Sequence, residues 1–299
     1  MREVIIHPGL PRTGTTVLQQ HVFPRAERTL LLSKAYGEKS LLYPYTLRDL
    51  KRLIGSVEGD AVGIKSSSAI RLRLFRAIYT ACFSLAVDNS RVDVQRLLQE
   101  LLHLVSRGGD QESVVISSER LMDTYSSLNG ASRQKGEKVF PVFVLMSNMR
   151  AIGIEPRVLI CLREPLGYLR SKYLRTLGQR RAIGARLITP YEYIIKQVAL
   201  EESCPGTSVL SPAQHSRFLK TLQACSAVHA VGFRVLIQSN DVFAQLGFTG
   251  QPLHAFRDFP RENQLPYSIE EEEYVRLEVI RALKSTTYYD KIMLSKRFD

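Results

Sequence analysis

The chain contains little cysteine and no long apolar run. Its four cysteines are scattered without a Cys-x-x-Cys pair, which excludes a disulfide framework and argues against a structural zinc site. No apolar stretch reaches the ~18–20 residues that a membrane-spanning helix needs, and no signal-peptide segment follows Met1-Arg2-Glu3. With Met1 as the native start, these absences predict a cytoplasmic protein that does not bind a membrane.

Acidic residues are also in the minority. The 299 residues include 41 Lys and Arg against 29 Asp and Glu, which gives a formal net charge of +12. This excess favours anionic partners such as phosphate or sulfate groups, acidic glycans or nucleic acid, although a basic solubility shell has the same composition. The basic clusters at 71–76 and 175–186 lack the aromatic pattern of RRM and zinc-knuckle proteins, so we do not expect a nucleic-acid reader.

Apolar strands alternate with helical segments along the chain. Apolar runs predict strands at 4–7, 28–33, 114–116, 157–162 and 233–237. Helical spacing predicts helices at 15–23, 70–85, 93–105, 166–177 and 190–200 and a tail helix that starts near Ser268, while 140–149 fits either type. The alternation predicts an α/β fold, one domain over 1–299 with a central parallel sheet flanked by helices.

A glycine-bearing loop lies between the first predicted strand and the first predicted helix. It reads Gly9-Leu10-Pro11-Arg12-Thr13-Gly14-Thr15-Thr16. A loop in this place directs backbone N–H groups and the helix dipole toward an anion. The spacing of Gly9 and Gly14 matches the Walker frame, but the lysine that the frame requires after the second glycine is missing. Arg12 lies inside the loop instead, which predicts an anion site other than that of a magnesium nucleoside triphosphate.

A second candidate site follows the strand at 157–162. The strand delivers Arg163 to the carboxyl edge of the sheet, where open α/β sheets bind ligands. Pro165 stands where a helix would start, and Ser171 lies on that helix within reach of the same edge. A guanidinium and a hydroxyl at one place suit a phosphate monoester.

Together these two segments resemble the nucleotide-binding motifs of sulfotransferases that use 3′-phosphoadenosine 5′-phosphosulfate (PAPS). The loop at 9–16 looks like their 5′-phosphosulfate loop, and Arg163-Glu164-Pro165 followed by Ser171-Lys172-Tyr173 is similar to their 3′-phosphate site. The resemblance implies a P-loop-like α/β domain related in shape to nucleotide kinases, with no metal in the loop. It implies that the 5′ end of PAPS is bound by Pro11, Arg12, Thr13, Gly14, Thr15 and Thr16. It assigns the 3′-phosphate to Arg163 and Ser171, with Arg257 or Arg261 as a cover from the C-terminal third.

The same resemblance implies in-line transfer of a sulfuryl group to a hydroxyl or amine of a small-molecule or glycan acceptor, which leaves 3′,5′-adenosine bisphosphate (PAP). Arg12 would stabilise the developing charge, and Lys65 would contact the sulfuryl group. Glu119 leaves a predicted buried strand at the same edge and is the leading candidate for the general base, with capping of the next helix as its alternative role. Glu38 and His21 are further candidates for the base.

Two other functions are compatible with the loop and the charge. A P-loop kinase with a degenerate loop would need ATP and magnesium, which the missing lysine disfavours. A protein that binds anions or nucleic acid without catalysis would bind PAP and ATP about equally and lose affinity steeply with salt. The pattern at 9–16 and 163–173, taken together, favours a soluble sulfotransferase of bacterial type.

Overall fold

The computed structural model describes most of the elements that surround the two motifs. The described residues are 3–9, 15–34, 48, 51–52, 55, 68–107, 113–122, 140–203, 208, 210, 223, 227–232 and 267–293. Within them, no helix has the combination of length and apolar composition needed to cross a bilayer.

Five parallel strands form the central sheet. They are β1 (Glu3–His7), β2 (Thr29–Ser33), β3 (Ser113–Ser117), β4 (Arg157–Leu162) and β5 (Ala227–Gly232). Their order across the sheet is β2-β3-β1-β4-β5, and every neighbouring pair is parallel. The predicted α/β class with a central parallel sheet is confirmed.

Helices flank this sheet. They are α1 (Thr15–Val17), α2 (Ser68–Val87), α3 (Val92–Arg107), α4 (Pro141–Ala151), α5 (Pro165–Ala182), α6 (Pro190–Ser203), α7 (Ile269–Lys284) and α8 (Tyr288–Met293). The ambiguous stretch at 140–149 is therefore helical. Ser268 caps α7 in a capping box with Glu271, in which each residue's side chain accepts a hydrogen bond from the other's backbone N–H.

Both faces of the sheet are buried because successive strand residues point to opposite sides. Ile5, Val115 and Leu159 face the segment that follows β1. The alternate residues, among them Ile6 and Ile116, pack against α2, α3 and α4. A separate apolar cluster joins α5, α6, α7 and α8. The two sheet faces thus hold the ends of the central strands in fixed positions.

The predicted helix at 15–23 is not regular. After α1 the chain forms a π-helical turn over Leu18–Val22 and a 3-10 turn over Phe23–Arg25. Pro24 lies in the first turn of the 3-10 segment, where its missing N–H needs no partner, so the helical path continues past the predicted stop. Such wide π turns occur frequently at functional sites.

Candidate functional site

The two motifs follow adjacent strands at the carboxyl edge of the sheet. β1 pairs with β4 through Ile6 and Val158, which leaves one residue of β1 and four of β4 beyond that pair. At ~3.3 Å per residue, β4 projects roughly 10 Å farther than β1. The strand after β1 lies on one side of this pair, and the strand after β4 lies on the other. The crevice between β1 and β4 is therefore the topological switch point, where open parallel sheets bind ligands.

Gly9 and Thr15 bring the two ends of the first motif into contact. Gly9 has a φ of +36°, and a Cβ built on it would be 2.6 Å from Thr15 Oγ1 and 2.7 Å from its Cγ2. Thr15 is buried and Thr16 is half-buried at the start of α1. Gly9, two residues after β1, and Thr15, the first residue of α1, therefore lie in contact. Pro11, Arg12, Thr13 and Gly14 lie outside the described residues.

A buried polar network underlies this turn. The His7 ring is fully buried, with Nδ1 2.7 Å from Ser117 Oγ, and Gln19 Nε2 donates to the same oxygen at 2.7 Å. Phe23 packs edge-on against the imidazole at 5.3 Å between centroids, and Ser118 N donates to the His7 carbonyl. The network ties together the ends of β1 and β3 and the π turn. No local sequence pattern predicts these partners of His7.

Burial lowers the pKa of His7 to about 3, which makes the stability of the chain depend on pH. Below pH 6.5 the unfolded chain protonates this imidazole while the folded chain does not, so acid favours unfolding until the pH falls through the folded pKa. Between pH 7.5 and 5.5 we expect His7 to reduce the free energy of unfolding by about 1.4 kcal/mol. Urea unfolding of wild type and His7→Gln at both pH values measures this contribution. It equals the loss of unfolding free energy in the wild type between the two pH values minus the loss in His7→Gln. Equal losses in the two proteins would contradict it.

The second motif starts α5 with a side-chain cap. Glu164 accepts hydrogen bonds from Leu166 N at 3.2 Å and Gly167 N at 2.6 Å, and Pro165 is the first helical residue. A Cβ on Gly167 would be 3.2 Å from Glu164 Oε2 and 3.4 Å from Arg163 Nε. Arg163 therefore folds back over the first turn of α5, where the glycine leaves room for its guanidinium.

Ser171 lies one turn beyond Gly167, at a spacing of four residues that places both on one face of α5. It is 6% exposed. Tyr173 belongs to the opposite face, where its hydroxyl donates to the Ile188 carbonyl at 2.9 Å and its ring packs against Tyr193. The tyrosine of the motif thus anchors α5, while Arg163, Gly167 and Ser171 form a continuous stripe that starts at the sheet edge.

Glu119 lies two residues beyond the end of β3, beside the turn at Gly9. It is half-buried and opens a 3-10 turn over Glu119–Met122. Ser118 caps this turn, since its hydroxyl accepts from Arg120 N at 3.2 Å, so the capping role considered for Glu119 is filled by its neighbour. Burial raises the pKa of the Tyr168 phenol on α5, and the negative charge of the Glu119 carboxylate raises it further. Glu119 and the start of α5 thus follow strand ends at the same edge of the sheet.

The remaining predicted residues lie partly outside and partly inside the described part of the chain. Lys65, Glu38, Arg257 and Arg261 lie outside the described residues. His21 is half-buried in the π turn. Within the described part of the chain, no group of three His, Cys, Asp or Glu side chains could hold a metal ion.

A cavity of about 280 Å³ lies elsewhere, between α5 and α7. Tyr173, Arg181, Tyr267 and Tyr274 are among its lining residues. Since Tyr173 and Arg181 are eight and 16 residues into α5 from Pro165, the cavity is roughly 12–24 Å along the helix from the sheet edge. It is separate from the crevice at the switch point.

The chain matches no protein-family model, no curated protein and no solved structure. Functional inference therefore depends on the geometry and chemistry of the crevice.

Proposed function

We propose that this chain is a cytoplasmic PAPS-dependent sulfotransferase, which transfers a sulfuryl group to a hydroxyl or amine of a small-molecule or glycan acceptor. The observation that carries the proposal is the position of the two anion-directed motifs on either side of one switch point. The Gly9–Thr15 turn ends β1, and the stripe of Arg163 and Ser171 follows the adjacent strand β4.

The different heights of the two strand ends support a nucleotide with phosphate groups at two positions. β1 ends at His7 at the base of the crevice, and β4 ends roughly 10 Å higher, immediately before Arg163. PAPS carries a phosphosulfate on the 5′ carbon and a separate phosphate on the 3′ carbon. A ligand with one phosphate chain, such as ATP, has no second phosphate to offer to Arg163 and Ser171.

The packing of Thr15 disfavours the kinase alternative. A Walker loop places a lysine directly after the second glycine so that its ammonium group reaches the β- and γ-phosphates. Here that position is Thr15, which is buried against Gly9. In our proposal the cation that contacts the transferred group is Arg12, from within the loop.

The proposed reaction is an in-line displacement at sulfur. An oxygen or nitrogen of the acceptor forms the new bond to sulfur while the bond from sulfur to the bridging phosphate oxygen breaks, and PAP leaves with that electron pair. Glu119 takes the proton of the acceptor as general base. Arg12 and the backbone N–H groups at the start of α1 meet the negative charge on the leaving oxygen, and Lys65 contacts the sulfuryl group. Arg257 or Arg261 would cover the 3′-phosphate.

Isothermal titration with PAP tests the cofactor site directly. We expect the wild type to bind PAP with micromolar or tighter affinity and to respond little to ATP with magnesium. Arg163→Ala should weaken PAP binding by about 10- to 150-fold, because hydrogen bonds to a charged group contribute about 1.5–3 kcal/mol.

Arg150→Ala is the matched control. It removes the same charge from the last turn of α4, before β4 begins and thus at the opposite edge of the sheet, where Arg150 pairs with Glu155 on the surface. PAP affinity should not change in this variant. The proposed function would be contradicted if the wild type did not bind PAP. It would also be contradicted if PAP and ATP bound equally well and Arg163→Ala changed neither affinity.

A further inference from the structure

The two ring nitrogens of His7 differ in their contacts within the described part of the chain. Nδ1 contacts Ser117, but no residue in the described part of the chain forms a hydrogen bond with Nε2, although the ring is 0% exposed. A buried polar atom without a partner costs about 1–3 kcal/mol, and a phenylalanine of similar shape would avoid that cost. An unsatisfied buried atom of this kind requires an explanation. A ligand that forms a hydrogen bond with Nε2 would provide it.

The hydrogen bonds around Ser117 favour Nε2 as the donor nitrogen of the ring. Gln19 Nε2 donates to Ser117 Oγ, so this oxygen accepts from the amide and has its own proton to donate. In our proposal Ser117 donates that proton to His7 Nδ1, 2.7 Å away. Burial keeps the imidazole neutral, so its single proton resides on Nε2. His7 therefore presents an uncharged N–H donor in a site without solvent, where a hydrogen bond to an anion is strengthened.

His7 Nε2 lies close to Thr15, a residue that the resemblance to sulfotransferases assigns to the 5′-phosphate. The Cβ position of Gly9 is 3.3 Å from His7 Cε1 and 2.6 Å from Thr15 Oγ1. Nε2 is bonded to Cε1, so it is at most roughly 7 Å from the threonine hydroxyl. Two hydrogen bonds of about 2.8 Å, joined by the ~2.4 Å between two oxygens of one tetrahedral oxyanion, span up to roughly 8 Å. The two side chains are therefore within the reach of a single phosphate or sulfate group.

We propose that His7 is a binding residue for the oxyanion at the end of β1, to which its Nε2–H donates a hydrogen bond. Ser117 and Gln19 are positioning residues that fix the tautomer and the orientation of the ring. The inference deepens the proposed function, because it adds an uncharged, buried donor to the group that holds the 5′ end of PAPS.

The test follows the His7 ring by NMR in the full chain labelled with ¹⁵N-histidine, with His7→Gln used to assign its signals. PAP, inorganic sulfate and inorganic phosphate are titrated separately at pH 7. We expect each of them to shift the Nε2–H resonance of His7. His229, half-buried in β5 two strands away from β1, has its ring hydrogen-bonded to Arg157; it serves as the internal control and should not shift.

Affinity provides the second measurement. His7→Phe keeps the ring shape without a donor and should weaken PAP and sulfate binding by about 10- to 150-fold. His229→Phe should leave both affinities unchanged. Because the NMR titration uses the wild type, it remains decisive if His7→Phe folds poorly.

The outcomes separate this inference from the proposed function. If PAP binds but neither shifts His7 nor weakens on its substitution, His7 is not a binding residue while the nucleotide site stands. If PAP does not bind but sulfate or phosphate shifts His7, the oxyanion donor stands and the sulfotransferase function is rejected. If none of the three ligands shifts His7, the inference is overturned.

Discussion

Replacement of Glu119 by glutamine should reduce kcat by about 10²- to 10⁴-fold, the usual contribution of a general base. The amide keeps the size of the carboxylate but cannot take the acceptor's proton. Glu119 lies beside the turn at Gly9 without serving as the cap of its own 3-10 turn, so the substitution removes the base with little effect on folding. PAP affinity should stay within about twofold of wild type, since the carboxylate has no role in holding the nucleotide.

Single-turnover transfer from radiolabelled PAPS, once an acceptor has been found, measures this effect apart from product release. Glu155→Gln is the matched control, because Glu155 is exposed and pairs with Arg150 away from the crevice. Undiminished kcat in Glu119→Gln would exclude Glu119 as the base and direct attention to His21 and Glu38. A parallel loss of PAP affinity would indicate a binding role for Glu119 instead.

Replacement of Gly9 by alanine should destabilise the folded chain by about 2–5 kcal/mol. A φ of +36° is unfavourable for any residue with a Cβ, which accounts for about 1–2 kcal/mol. The new methyl group would also lie 2.6–2.7 Å from two side-chain atoms of Thr15, an overpacking that typically costs about 1–3 kcal/mol. Urea unfolding of the two proteins measures the sum, and PAP titration shows whether the displaced Thr15 still binds the nucleotide.

Gly153→Ala separates the two contributions. Gly153 also has a positive φ, +79°, but a Cβ there would meet no atom within 4 Å. Gly153→Ala should therefore lose only the stability that a residue with a Cβ loses at a positive φ. Similar losses of stability in the two variants would contradict the close packing of Gly9 against Thr15.

Elements with strong local signals could be predicted from the sequence. β4 begins and ends at the predicted residues 157 and 162, because its apolar run is bounded by Arg157 and Arg163. Pro165 marks the first residue of α5, and the acidic first turn after Ser268 marks the start of α7. In each case the chemistry that defines the boundary lies within a few residues of it.

Predictions that depended on more distant packing were less successful. The helix predicted at 166–177 continues through Gly178 to Ala182, and this glycine admits the Tyr267 hydroxyl 3.5 Å from its Cβ position. The edge strand β5 (Ala227–Gly232) was missed because its small, partly exposed residues form no apolar run. The strand predicted at 233–237 lies outside the described residues.

By itself, the sequence determined that residues 9–16 and 163–171 have the composition of anion sites, each of which begins after a strand and runs into a helix. Only the tertiary structure decided that β1 lies between β3 and β4, which makes these two motifs neighbours. It also decided that His7 and Ser117, 110 residues apart, meet at 2.7 Å beneath the first motif. The physical reason is that local patterns specify which residues form a strand and which face is apolar, whereas strand order depends on how all the apolar faces are buried together.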